Sequence, residues 1–271
     1  MPTGLHQIPC FPMGCWCLRA CPARLKNKRG KGLLSERILV TGGKGGVGKS
    51  TVCAMLGMAL ARDRRRTLLV EAGQRSLDVM MGCETVLYDF GDLLEGRCSF
   101  EDARLSAGGV DFLCAPQKGF LQIPENQILW DLFRSLENAY DFILIEVPCQ
   151  QELLSLFARF VQRAVIISTA DRACARGGRM ASDLLARQGI YDIRLCINML
   201  PPDFLYTRPV PDLDWLIDTV CAQLICILPF EFRLISGMLL GNSVRLSHDI
   251  SVIFDNFAQR ILGKYIDLSV W

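Results

Sequence analysis

The residues best suited to chemistry in this 271-residue chain sit in one stretch, Gly42-Gly43-Lys44-Gly45-Gly46-Val47-Gly48-Lys49-Ser50-Thr51. It satisfies the pattern G-x-x-x-x-G-K-[ST]. It lies between an apolar run, Ile38-Leu39-Val40-Thr41, and a segment of helical spacing, which is the strand–loop–helix setting that this pattern requires. Glycines at 43, 45, 46 and 48 let successive N–H groups turn toward one anion, because a residue without Cβ reaches positive φ freely. The helix that follows aims its own free N–H groups and dipole at the same point. Lys49 is placed to reach β- and γ-phosphates as a compact charge, the Ser50 hydroxyl to ligate Mg2+, and Thr51 to meet the α-phosphate side. The expected ligands are therefore ATP and Mg2+. A flexible turn would account for the glycines, but it gives no reason for Lys-Ser at the helix start.

Such a loop works only on a rigid sheet, and from Arg37 onward short apolar runs alternate with segments of helical spacing, the pattern of βαβ units. The spacing predicts strands at 38–41, 67–71, 110–114, 141–146, 164–169, 193–198 and 224–228, and helices at 49–62, 125–138, 150–160, 176–188, 213–220 and 250–262. With 51% apolar residues the chain suffices for one large α/β domain, 37–271. Residues 1–36 differ: Pro2, Pro9, Pro12 and Pro22, four cysteines and the basic Lys26, Lys28, Arg29 and Lys31 leave no period. They are expected to be a disordered extension, or the product of a start site placed too early in the gene.

Charge and cysteine content narrow the class. Thirty basic against 28 acidic residues leave a net charge of +2, so no broad field gathers nucleic acid. No apolar run approaches the roughly 18–20 residues of a membrane span, and no secretory h-region opens the chain, which predicts a cytoplasmic protein. The 13 cysteines, an odd number scattered through apolar segments, are expected to be reduced thiols.

Lys44-Gly45-Gly46-Val47-Gly48-Lys49-Ser50-Thr51 resembles the deviant Walker A motif of the MinD/ParA family. That resemblance implies a P-loop NTPase fold, α/β with a mostly parallel twisted sheet flanked by helices, and an ATP-bound homodimer in which Lys44 crosses to the partner's nucleotide. Gly73-Gln74-Arg75-Ser76-Leu77-Asp78 through Gly82-Cys83-Glu84, followed by Tyr88-Asp89, is similar to a segment of MinD proteins in particular. Tyr140-Asp141-Phe142-Ile143-Leu144-Ile145-Glu146-Val147-Pro148 resembles the family strand whose terminal acid helps organise Mg2+ and the second switch. Asn198 stands at the position where the family recognises adenine. The resemblance runs from about Arg37 to the end of the chain, weakening after Asn198.

Two departures fall on the chemistry. The family reads D-x-D-x-G-L-R after its second strand, and the second Asp positions the attacking water. Here Val70-Glu71-Ala72-Gly73-Gln74-Arg75 is two residues shorter, and Glu71, which matches the first family acid, is the only acid left to take over part of that role. Glu146-Val147-Pro148-Cys149-Gln150 replaces D-x-P-A-G, with a longer acid and no switch glycine. The expected catalytic set is Lys44, Lys49, Glu71 and Glu146, with slow or absent ATP hydrolysis.

The resulting expectation is an ATP-dependent dimerisation switch in spatial organisation or cell-division-site selection, with an unidentified protein partner. Two alternatives stand beside it. An iron–sulfur carrier would use Cys10, Cys15, Cys17 and Cys21, although their spacing fits neither C-x2-C zinc pairs nor the motif of the family's iron–sulfur carrier branch; a non-hydrolysing scaffold would hold nucleotide constitutively. MinD proteins usually end in a basic amphipathic membrane helix. Residues 262–271 carry Lys264 as their single base, so any membrane contact is expected to be peripheral and packing on the domain is the preferred reading.

Overall fold

The computed structural model describes residues 35–83, 85–120, 122–201, 203–204, 212–232 and 247–268. Residues 1–34 of the expected N-terminal extension, with its four cysteines, together with Glu84 and the last three residues, lie outside them, while Glu36 already belongs to the first strand. The described residues fall in one unit, Leu33–Trp271.

Near-continuous β-branched and leucine runs form strands that can be buried on both faces, as a parallel sheet requires. The strands are β1 (Glu36–Gly42), β2 (Thr67–Glu71), β3 (Leu105–Ala107), β4 (Val110–Leu113), β5 (Phe142–Glu146), β6 (Arg163–Ser168), β7 (Ile193–Leu200) and β8 (Gln223–Pro229). They make one 8-stranded sheet in the order β3-β4-β2-β5-β1-β6-β7-β8. β3 pairs antiparallel with β4, and every other pairing is parallel. β1 lies between β5 and β6, so the phosphate loop leaves from the middle of the sheet.

Alternate residues of each strand face opposite layers. Ile38, Val40, Leu69, Leu144 and Val165 pack with Val52, Met55 and Leu56 of α1 (Lys49–Arg62) and with Phe254 and Phe257 of a C-terminal helix, His248–Ile261. Leu39, Leu68, Val70, Ile143 and Ile166 face the other way. They pack with Phe133 of Asn126–Leu136, Phe157 of Gln151–Phe157, Leu185 of Arg172–Arg187 and Leu216 of Leu213–Val220. With α2 (Leu77–Met81), α3 (Phe90–Leu94) and α4 (Phe100–Ala103), chain order names these α5, α6, α7 and α8, and the C-terminal helix α9. Burial on both faces supplies the drive that holds the loop-bearing ends of the strands in register.

The seven expected strands and six expected helices are all present. β3 and α2–α4 add to them. These elements are three to five residues long, too short to leave a period, and α3 and α4 are fixed by reciprocal capping boxes, Asp89 with Asp92 and Ser99 with Asp102. α7 begins at Arg172 rather than 176, because the Asp171 side chain accepts from the Cys174 N–H and caps the helix a full turn earlier.

α7 also touches the phosphate loop backbone to backbone. A Cβ built on Gly177 would lie 1.8 Å from the Gly43 carbonyl oxygen, and one on Gly43 would lie 2.0 Å from that of Cys174. Gly177→Ala is therefore expected to lower stability by about 1–3 kcal/mol through overpacking, although alanine is ordinarily the better helix residue. A urea midpoint that stays unchanged or rises would contradict this contact.

Candidate nucleotide site

The phosphate loop is held at both ends. The Gly43 N–H donates to the Ile167 carbonyl of β6 at 3.3 Å, and the Val47 carbonyl accepts from Asn198 Nδ2 at 2.8 Å. Gly46 and Gly48 have φ of 75° and 87°, the left-handed region where glycine carries no Cβ penalty. Gly48 is the N-cap of α1 and offers no side-chain acceptor, which leaves the first N–H groups of the helix for an anion.

Asn198 comes to this position through an irregularity in β7. Met199 has a positive φ of 57°, and the β7–β8 register shifts between Ile197 and Leu200. This bulge brings Asn198 up to the loop, where a Cβ on Gly48 would lie 2.4 Å from its Nδ2. The side chain expected to meet adenine thus also supports the phosphate loop from below.

An open cavity of ≈ 1520 Å³ extends from the loop across the carboxyl ends of the strands, lined by Lys44, Lys49, Ser50, Thr51, Glu146 and Asn198 among others. Ser50 Oγ donates to Glu146 Oε1 at 2.7 Å. The second carboxylate oxygen, Oε2, is buried with no hydrogen-bond partner. Burial pushes the Glu146 carboxyl up to about 7; its bond from Ser50 and the nearby Lys49 oppose the rise, and Glu71 adds to it. A hydroxyl touching a buried carboxylate with one unsatisfied oxygen is an oxygen donor set that fits Mg2+.

Lys44 stands at the rim. Its Nζ lies 3.1 Å from Asp171 Oδ2, and the two side chains are 48% and 41% exposed. The pair raises the lysine above its ordinary range, chiefly through that hydrogen bond.

Glu71 does not occupy the place expected for a substitute hydrolytic acid. It is fully buried and absent from the cavity lining. Oε1 accepts from the Ser76 N–H at 2.7 Å, the Ser76 hydroxyl at 2.7 Å and the Leu77 N–H at 3.1 Å, while Oε2 accepts from the Ala115 N–H at 3.0 Å. The shortened connection explains this arrangement: so few residues separate β2 from α2 that the carboxylate meets the start of α2 directly. Burial raises its pKa and these hydrogen bonds oppose the rise.

Further groups at the cavity carried no assigned role in the sequence. Arg75 lines it while tied to Asp78 at 2.7 Å, and Lys118 reaches it from the loop after β4. Asp171 and Gly177 position the phosphate loop through α7. Two signals for them were present: an Asp ahead of a helical run, and a Gly-Gly pair within one.

Comparison with known proteins agrees with this geometry. Residues 38–233 match the family model described as the CobQ/CobB/MinD/ParA nucleotide binding domain. The chain belongs to the MinD/ParA family. The matched span contains the phosphate loop, Glu71, Glu146 and Asn198. A putative septum site-determining protein MinD from Emiliania huxleyi is 30% identical over 249 residues, covering 86% of this chain and 90% of the relative. Septum site-determining protein MinD from Synechocystis is 30% identical over 245 residues, covering 86% and 91%. Among solved structures, the MinD cell division protein of Aquifex aeolicus superposes with a TM-score of 0.75 at 26% identity, covering 87% of this chain and 100% of that one. Membership of the MinD/ParA family accounts for the central β1, the phosphate loop and the mostly parallel sheet.

Glu71→Ala in this MinD/ParA protein would strip the acceptor from three backbone N–H groups, of Ser76, Leu77 and Ala115. The expected loss is about 2–4 kcal/mol of unfolding free energy. A denaturation midpoint equal to that of the native chain would show that the carboxylate does not hold the 72–77 segment.

Proposed function

We propose that this protein is a MinD-type switch that binds ATP with Mg2+, forms a homodimer in that state and, through a protein partner, acts in choosing the site of division. The observation that carries the reading is the position of Lys44. It lies on the phosphate loop, half-exposed, and is engaged by Asp171 of its own chain. An exposed ion pair is weak and easily exchanged, so a partner's phosphate can replace the carboxylate. Lys49 serves the chain's own phosphates, and Lys44 serves those of the second copy. The relatives named septum site-determining protein MinD support the cellular role, and the Aquifex aeolicus MinC:MinD complex supports a protein partner.

Ser50 and Glu146 would hold Mg2+, which when bound offsets the charge that accumulates on the phosphates. Ser50 presents its hydroxyl, and Glu146 contributes its unpartnered oxygen. Thr51 stands on the α-phosphate side. Asn198 gives one amide hydrogen to Val47, and its remaining hydrogen-bonding capacity serves the adenine.

Turnover is proposed to be slow. The loops after β2 and β5 present no acid to the cavity other than Glu146, which is engaged with Ser50, and Glu71 is occupied below. No helix among the described residues is long and apolar enough to cross a membrane. We place the protein in the cytoplasm, with any membrane contact peripheral.

Sedimentation velocity tests the switch. ATP with Mg2+ is expected to convert monomer to dimer, and Lys44→Ala to prevent this while nucleotide still binds; a profile that ATP leaves unchanged would refute the proposal. Glu146→Ala is expected to raise the Mg2+ concentration needed for half-maximal ATP binding by about tenfold or more. An unaltered Mg2+ titration would remove Glu146 from the metal site.

A further inference from the structure

We propose that Gln150 is a catalytic residue whose side-chain amide positions the attacking water for hydrolysis of the terminal phosphate, in place of the acid that the shortened β2 connection lacks. The inference rests on the ATP-switch reading above.

The cavity is lined by Lys49 and Ser50 of the phosphate loop and by Glu146, Pro148, Cys149 and Gln150 at the end of β5 and just after it. Gln150 is exposed to solvent. It occupies the N-cap position of α6 with φ −94° and ψ 127°, yet its side chain makes no capping hydrogen bond. The amide is therefore not tied to the start of the helix it precedes.

The stem that carries it is fixed. The Val147 N–H donates to the Val40 carbonyl at 2.9 Å, and a Cβ on Gly73 would lie 3.1 Å from Pro148 Cδ, so the loops after β5 and β2 rest on each other. With the backbone held from two sides, only the side chain's own rotamers remain to be ordered when it takes up a working geometry.

The other candidates are occupied or unsuited. Glu71 is held by four donors and Arg75 by Asp78, while Glu146 bonds Ser50 through one oxygen and is assigned above to Mg2+ through the other. A thiol such as Cys149 is a weak acceptor. Gln74 and Gln117 also line the cavity, but neither follows a strand whose terminal acid lines it, whereas Gln150 follows β5, which ends in Glu146.

The chemistry suits an amide. Its carbonyl accepts from the water and its N–H donates to a phosphate oxygen, without gain or loss of a proton. The water oxygen forms a bond to the γ-phosphorus as the bond from phosphorus to the bridging oxygen breaks. The electron pair leaves with ADP, and a water proton passes to a phosphate oxygen, giving ADP and inorganic phosphate. A loose transition state asks for little proton transfer at the moment of attack, so placement of the water is the larger contribution.

Single-turnover phosphate release from ATP with Mg2+ by the full-length chain, run beside an ATP-binding titration, tests the assignment. Gln150→Ala is expected to slow release at least about tenfold while ATP affinity stays within about twofold, and Gln74→Ala to keep the native rate. Native release from Gln150→Ala, or a loss that follows ATP affinity alone, would overturn it. A native chain that releases no more phosphate than Lys49→Ala would also overturn it. Sedimentation of the same samples shows separately whether ATP-driven dimerisation stands.

Discussion

The site depends on one constraint: the phosphate loop must hold a tight left-handed turn before a ligand arrives to reward it. Its main support is the close approach of α7, whose Gly177 leaves room for the Gly43 carbonyl. Asn198 holds the far side through the Val47 carbonyl, and β6 holds the near side through Ile167. A loop fixed in this way binds an anion without first ordering itself, which is the energetic advantage of preorganisation. It also ties the loop to α7, where Asp171 receives Lys44.

Two buried acids at the ends of adjacent strands divide the remaining work. Glu71 and Glu146 are register partners on β2 and β5. The first is satisfied by a hydroxyl and three backbone N–H groups, and it fixes the 72–77 segment. The second has one oxygen on Ser50 and one with no partner, and is the acid proposed above to meet Mg2+. Side-by-side carboxylates disfavour charge on each other, so satisfying one fully leaves the other as the responsive member.

Much of this was legible in the residues. The phosphate loop declared itself through lysine and serine at the start of a helix, and the apolar runs located each parallel strand, because burial on both faces leaves an unbroken signature. What escaped was long-range or short in sequence. Glu71 was legible as an acid near the missing Asp, but its place under the loop depends on Ala115, 44 residues away. Asn198 was read through resemblance, while its bond to Val47 spans 151 residues and follows from a bulge that no period announces. α3 and α4 form through capping pairs rather than through a face, and Asp171 was missed because the helix it caps was expected to begin a turn later.

The most direct test of the central claim, that this loop binds ATP, is calorimetric titration of the purified chain with ATP and Mg2+ beside Lys49→Ala. Saturable binding by the native chain that is lost in the variant is the predicted result. Absence of binding by the native chain, or equal binding by both, would contradict the account.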